Sequence, residues 1–197
     1  MSPAGHAITA IAAAAALSVI SGSGIGEMAG QVPVLLKALA ENTGYFVCSA
    51  DQSAALAWLG ILVGGRLPDR LEIPAWNRVL NMRESLIPHR TLTHWPALWL
   101  AVAAFIAYAI HDRPFTQAAQ VIGLWFATGD CGASFLHLAM DIMTPTGIPL
   151  LFPFGKRTSL NLYRSGSPGE LVVVLVFCAA LYVFTPAARY FFQWHSM

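Results

Sequence analysis

Six residues of metal-ligand type recur where apolar stretches of the chain begin or end: His6, Asp69, His89, His94, His137 and Asp141. Neutral imidazole and carboxylate are the usual nitrogen and oxygen ligands of zinc and of harder divalent ions. His137 and Asp141 are four residues apart, so one helix face presents both. His89 and His94 are five apart and would diverge on a continuous helix. A turn before Pro96 lets His89 swing in from a loop while His94 caps the helix start. Between them lies Arg90, whose planar fork suits an anionic phosphoryl oxygen. Thr93 is placed to cap the helix or to orient a ligand. Glu72, three residues after Asp69, is a candidate general base or further ligand, set against the plainer reading of a solvated loop carboxylate. A divalent ion among such groups lowers the pKa of bound water, which is the chemistry of hydrolysis.

Positioning these residues falls to strongly apolar elements. The 197-residue chain is 56% hydrophobic and only 11% charged, with a mean hydropathy of +0.59. Soluble domains carry roughly 25% charged residues, so this chain has too little polar surface to face water on all sides. Membrane insertion is the simplest expectation. The net charge of +1 excludes a nucleic-acid binder that relies on a broad basic face. Cys48, Cys131 and Cys178 lack metal-like spacing and read as packed thiols.

Five apolar segments emerge: Ala7 to Ile20, Ser53 to Gly65, Trp95 to Ile110, Gln117 to Met140, and Leu171 to Phe184. The last three suit a spanning helix, and the first two are short for one. No Lys or Arg precedes the first segment, unlike a secretory signal, so it is expected to stay in the mature protein. Gly22 to Asp51 reads as a polar loop holding one small interfacial helix around Val34 to Leu39. Pro186 is the expected end of the last helix. The basic residues concentrate between Arg66 and Arg90 and again at Lys156, Arg157 and Arg164. The positive-inside bias puts both basic loops in the cytoplasm, with the N-terminus on the same side and the C-terminus across the membrane. The fold class expected is all-α: a polytopic helical bundle of about five membrane-embedded helices, a single domain over residues 1–197, with two long loops on one face.

Threaded onto that alternation, His6, Asp69, His89, His94, His137 and Asp141 all fall at one membrane face. A lone interfacial histidine is usually an amphipathic residue at a wet boundary, and His111 and His195 are read that way. The shared placement of the six outweighs the plain alternative of an ion pair at His137 and Asp141, because ionisable groups at membrane depth are costly and usually functional. Asp130 lies seven residues before His137, about 10 Å deeper on the same helix, and is expected to be protonated or bonded to a neighbouring helix. Thr144 to Pro149 is a turn that fixes the exit of the fourth segment so that Asp141 points inward, and Leu150 to Phe154 reads as an interfacial anchor.

At these residues the chain resembles the YdjM-like family of small bacterial inner-membrane proteins, described as membrane-bound metal-dependent hydrolases. The resemblance runs through Gly5-His6, Leu67-Pro68-Asp69, His89-Arg90-Thr91-Leu92-Thr93-His94, and His137 to Asp141 leading into Thr144-Pro145-Thr146-Gly147-Ile148-Pro149-Leu150-Leu151. The chain departs from the family pattern after Asp69, where Leu71 and Glu72 stand in place of an aspartate and a histidine. The family is distantly similar to zinc-dependent phospholipases C and P1-type nucleases. The resemblance therefore implies a multi-pass protein of the bacterial inner membrane that hydrolyses phosphoesters, with lipid headgroups among the candidate substrates. It implies a divalent cofactor, zinc first and manganese or magnesium as alternatives. Membrane lipid is the expected partner, and nucleic acid is not. The metal ligands expected are His6, Asp69, His89, His94, His137 and Asp141, with Arg90 and Glu72 as catalytic groups. A metal carrier and a purely structural membrane protein are the rival readings.

Overall fold

The computed structural model describes residues 2–22, 25–41, 47–71, 74–77, 82–85, 90–112 and 115–195. Among them are seven α-helices: α1 (Pro3–Ser21), α2 (Ile25–Glu41), α3 (Ala50–Gly64), α4 (Leu67–Arg70), α5 (Pro96–Asp112), α6 (Ala118–Ile142) and α7 (Pro168–His195). A 3-10 turn, Leu92–His94, precedes α5. Two short antiparallel pairs complete the description. The strands β1 (Pro74–Asn77) and β2 (Met82–Ser85) lie between α4 and the turn, and β3 (Ile148–Pro149) and β4 (Arg157–Thr158) lie between α6 and α7. The expected helical fold is present.

Each segment reading meets the structure at its ends. Helix α1 starts before Ala7, because the Ser2 hydroxyl caps it by accepting from Gly5 N at 3.1 Å and Pro3 occupies its first turn. Gly22, at φ +78°, closes it in the left-handed conformation that glycine adopts freely. The result is 19 residues, or about 28 Å of rise, and a candidate membrane span where the sequence alone suggested a short segment. The second candidate span is Pro168–Thr185 of α7. Helix α5 is apolar but shorter, and α6, though 25 residues long, carries Gln120, Thr128, Asp130, Ser134 and His137.

Two expectations need correction. The region after Gly22 holds a 17-residue helix, α2, with Pro33 inside it, not a small helix at Val34 to Leu39. Ile25, Met28, Val32, Leu35 and Leu39 recur at helical spacing, and Met28 and Leu35 are buried; the proline and two glycines disguised that periodicity. Helix α7 also continues through Pro186 to His195. A proline inside a helix costs one backbone bond, which membrane helices tolerate.

Helix α6 is central, packing against α3 and α5, while α1 packs on α3 and α7. Trp99, Ile106, Cys131, Leu138 and Ile148 form one buried apolar cluster, and Met140, Tyr163 and Val174 a second. The α3–α6 crossing is close enough to bring backbone against backbone. A Cβ on Gly60 would collide with the Phe126 carbonyl, one on Gly129 with the Ala57 carbonyl, and one on Gly64 with the Asp130 carboxylate. This crossing matters because it sets Gly65, just beyond α3, against His137 on α6. Gly129→Ala is therefore expected to destabilise the fold by about 1–3 kcal/mol through overpacking, read as a lower unfolding temperature in detergent. Gly123→Ala, where a Cβ would meet nothing within 4 Å, is the neutral control.

Helices α1 and α7 run parallel. Ser2 donates from both its backbone N–H (2.8 Å) and its hydroxyl (2.7 Å) to Glu170 Oε1, tying their starts together. Toward their far ends, Val19 and Thr185 line one apolar cavity. Both candidate spans thus begin at the same level.

Candidate metal centre

His6 from α1, Asp69 from α4, His94 from the 3-10 turn, and His137 and Asp141 from α6 converge at that level. Four polar atoms form the tightest set: His94 Nε2, His137 Nε2, Asp69 Oδ1 and Asp141 Oδ2. His94 Nε2 lies 3.3 Å from His137 Nε2, 3.3 Å from Asp69 Oδ1 and 3.4 Å from Asp141 Oδ2. His137 Nε2 lies 3.5 Å from each of the same two carboxylate oxygens. The two imidazoles therefore meet each other and one oxygen of each carboxylate at 3.3–3.5 Å. Ligands about 2.1 Å from a tetrahedral zinc stand about 3.4 Å from one another, so Asp69, His94 and His137 have the spacing of three donors to one ion.

His6 lies flat on His137, ring centroids 3.7 Å apart and 7° from parallel, with Nε2 3.6 Å from Asp141 Oδ1. His6, His137 and Asp141 thus form a second group of possible donors that shares His137 with the group Asp69, His94 and His137. His6, His94, His137 and Asp141 are all at most 3% exposed, whereas the Asp69 side chain is 37% exposed. Water reaches the cluster on the Asp69 side.

The histidine rings are oriented from behind. His137 Nδ1 lies 2.9 Å from the Gly65 carbonyl, which can only accept. The Nδ1 therefore carries a proton, and Nε2 is the nitrogen turned toward the cluster. Thr93 Oγ1 is 3.0 Å from His94 Nδ1, while the Thr93 carbonyl accepts from Trp99 Nε1 at 2.8 Å. Thr93 thus contacts the His94 ring from behind, and the turn has no side-chain cap hydrogen bond.

Arg90 is placed otherwise than its sequence role suggested. It is 6% exposed, and its Nη2 donates to Asp141 Oδ1 at 2.8 Å. Its Nη1 donates to Thr144 Oγ1 at 2.8 Å, to Thr146 Oγ1, and to the Gly147 carbonyl at 3.4 Å. The fork expected to grip a substrate oxygen is spent on the protein, because the turn after α6 folds back over Asp141. Arg90 holds this position at φ +58°, an uncommon conformation for a side chain of this size, maintained here by its partners.

The electrostatics agree with a shared cluster. Burial alone would push the Asp69 carboxyl up, but hydrogen bonds with His137 and His94 outweigh it and hold Asp69 well below the usual carboxylate range. Burial alone would lower His94, but Asp141 and Asp69 outweigh it and raise the imidazole above its ordinary 6.5.

Of the other residues singled out, Glu72 and His89 lie outside the described residues. His111 pairs with Asp112 at 2.7 Å on the surface, away from the cluster. The Asp130 Oδ1 is buried against α3 without a hydrogen-bond partner among the described residues, and Ser134 donates to the Asp130 carbonyl at 2.9 Å. The reading of Thr144 to Pro149 as a turn that aims Asp141 inward missed that Thr144, Thr146 and Gly147 form the cradle of Arg90. Their only signal was their position directly after the His-x-x-x-Asp pattern. The Gly65 carbonyl had no sequence signal, since its role depends on the α3–α6 crossing. Glu170, 5% exposed, was also missed; it accepts from Ser2 and from Gly166 N at 2.5 Å.

No curated protein and no solved structure matches the chain. A family model described as YdjM inner membrane protein matches residues 1–194. With nearly the whole chain matched, and with apolar helices that agree with a membrane setting, the protein belongs to the YdjM inner membrane protein family.

Proposed function

We propose that this chain is a membrane-bound, metal-dependent hydrolase of phosphoester bonds, working where the cytoplasmic face of the inner membrane meets water. The observation that carries the reading is the 3.3–3.5 Å spacing at which His94 Nε2 and His137 Nε2 meet each other and the carboxylates of Asp69 and Asp141, delivered by three separate stretches of chain. In this reading α1, α3, α5, α6 and α7 each cross or enter the bilayer in alternating directions, which brings the donors to one face.

His94, His137, Asp69 and Asp141 would hold the ion, zinc by preference, with His6 backing His137 and reaching the outer oxygen of Asp141. Bound there, a divalent ion supplies Lewis acidity and a nucleophile derived from water near neutral pH. Gly65 and Thr93 keep the imidazoles turned toward the centre. Arg90 is a positioning residue that fixes Asp141 through Oδ1 and leaves Oδ2 facing the two histidines. The half-exposed Asp69 marks the side from which substrate and water approach. Glu72 and His89 keep their proposed roles as proton carrier and additional donor. A metal carrier would need a polar path through the membrane, and among the described residues of α6 Asp130 is the one charged side chain inward of the cluster.

The test is cleavage of a chromogenic phosphodiester by purified full-length protein. Cleavage is expected to stop on dialysis against EDTA and to return with zinc or manganese. The same chelation is expected to lower the unfolding temperature by several degrees, because an ion bound only by the folded chain stabilises it. Stoichiometric metal with no cleavage of phosphomonoesters, phosphodiesters or phospholipids would count against an enzyme.

A further inference from the structure

The hairpin β3–β4 joins two features that rarely coexist on a surface facing water. Its tip exposes Leu151 (81%), Phe152 (71%) and Phe154 (72%), followed at once by the exposed Lys156 and Arg157. Leu160 and Leu162, in the strand of chain leading back, are 55% and 63% exposed. Large apolar side chains presented together, rimmed by cations, mark a surface that something covers.

The position of the hairpin says what covers it. The chain runs from this hairpin into α7 at Pro168, one of the two candidate spans, and α1 begins at the same level through the Ser2–Glu170 contact. The hairpin therefore sits where membrane-crossing helices leave the bilayer. Trp95, whose indole donates to the Leu150 carbonyl at 3.2 Å, stands at this level too, where tryptophan is favoured. An apolar tip placed there meets acyl chains, and the adjacent cations meet anionic headgroups.

The root of the hairpin is bonded to the end of α6. Leu160 N donates to the Ile142 carbonyl and Leu162 N to the Met143 carbonyl, each at 2.8 Å, and the Ser159 hydroxyl donates to the Thr144 carbonyl. These bonds flank Asp141 and the cradle of Arg90. What the hairpin captures is therefore held beside the cluster.

We propose that the segment Leu151–Arg157 is a binding surface for anionic phospholipid of the surrounding membrane. Leu151, Phe152 and Phe154 enter the acyl region, and Lys156 and Arg157 hold the lipid phosphate. Resting on the hydrolase reading only for this last step, the hairpin presents a phospholipid headgroup to the metal centre and so defines the substrate class.

The test uses full-length protein in nanodiscs of phosphatidylcholine, with and without phosphatidylglycerol. A bimane label is placed at Phe152→Cys in a chain whose Cys48, Cys131 and Cys178 are replaced by serine. Acyl-brominated phosphatidylglycerol is expected to quench the label strongly and aqueous iodide weakly. Lys156→Glu with Arg157→Glu is expected to reduce the quenching by brominated phosphatidylglycerol at least threefold, with circular dichroism and gel filtration unchanged. Strong quenching by iodide overturns the proposal. So does protection from both quenchers, which would mean that protein covers the tip, or equal quenching by brominated phosphatidylcholine and phosphatidylglycerol. If the double variant does not fold, the lipid comparison on the labelled chain alone decides. The readout needs no turnover, so strong lipid quenching in a protein that cleaves nothing would refute the hydrolase reading and leave the lipid surface standing.

Discussion

Wild-type protein purified in detergent is expected to carry about one divalent ion per chain, and His137→Ala or His94→Ala to carry none. Each contributes an Nε2 to three of the five short contacts of the donor set, and each is buried, so no water-borne ligand replaces it easily. Phosphodiester cleavage is expected to fall at least a thousandfold in both variants. His6→Ala should behave differently. His6 stacks on His137 and touches the outer oxygen of Asp141, and groups that act from behind a ligand typically change metal affinity about 10–100-fold. Metal analysis after dialysis against graded chelator separates the two outcomes. Full occupancy in His137→Ala would place the ion elsewhere and end the assignment.

Arg90→Met is expected to destabilise the folded chain by about 3–5 kcal/mol, because it removes the cation from a buried pair and leaves the Asp141 carboxylate. The pair is tight and dry, with 2.8 Å between Nη2 and Oδ1 and side-chain exposures of 8% and 1%. The same substitution strips Thr144 and Thr146 of their donor and loosens the turn that seats the β3–β4 hairpin. Lysine should rescue only partly, since one ammonium cannot span Asp141 and Thr144 as the planar fork does. Thermal unfolding of Arg90→Met and Arg90→Lys with and without added zinc checks this. If added zinc restores most of the lost stability, Arg90 acts mainly by balancing the charge of Asp141; if it does not, the cradle matters more. An unchanged unfolding temperature in Arg90→Met would contradict the geometry.

How much was legible in advance differs from residue to residue. His137 and Asp141 declare themselves by helical spacing inside a long apolar segment, and α6 carries both as expected. His6 and His94 were readable because each sits at the edge of an apolar run, and α1 and the turn before α5 place them there. The length of α2 was hidden by Pro33, which lowers local helix propensity although packing of Met28 and Leu35 overrides it. Arg90 was misread because its neighbours in sequence, two histidines and a proline-led helix, say nothing about the Thr144–Gly147 turn more than fifty residues away.

The order of residues along the chain, alone, marked five apolar segments and the histidines and aspartates at their ends, though not the extent of α2 or the continuation of α7, since hydropathy and spacing are local properties. Tertiary structure decided which carboxylate oxygen faces which imidazole, which nitrogen of His137 points into the cluster, and that Arg90 serves Asp141. The reason is steric. Gly60, Gly64 and Gly129 let α3 and α6 approach until the Gly65 carbonyl meets His137, and that register, fixed by backbone contact between distant segments, fixes how the His137 ring is turned.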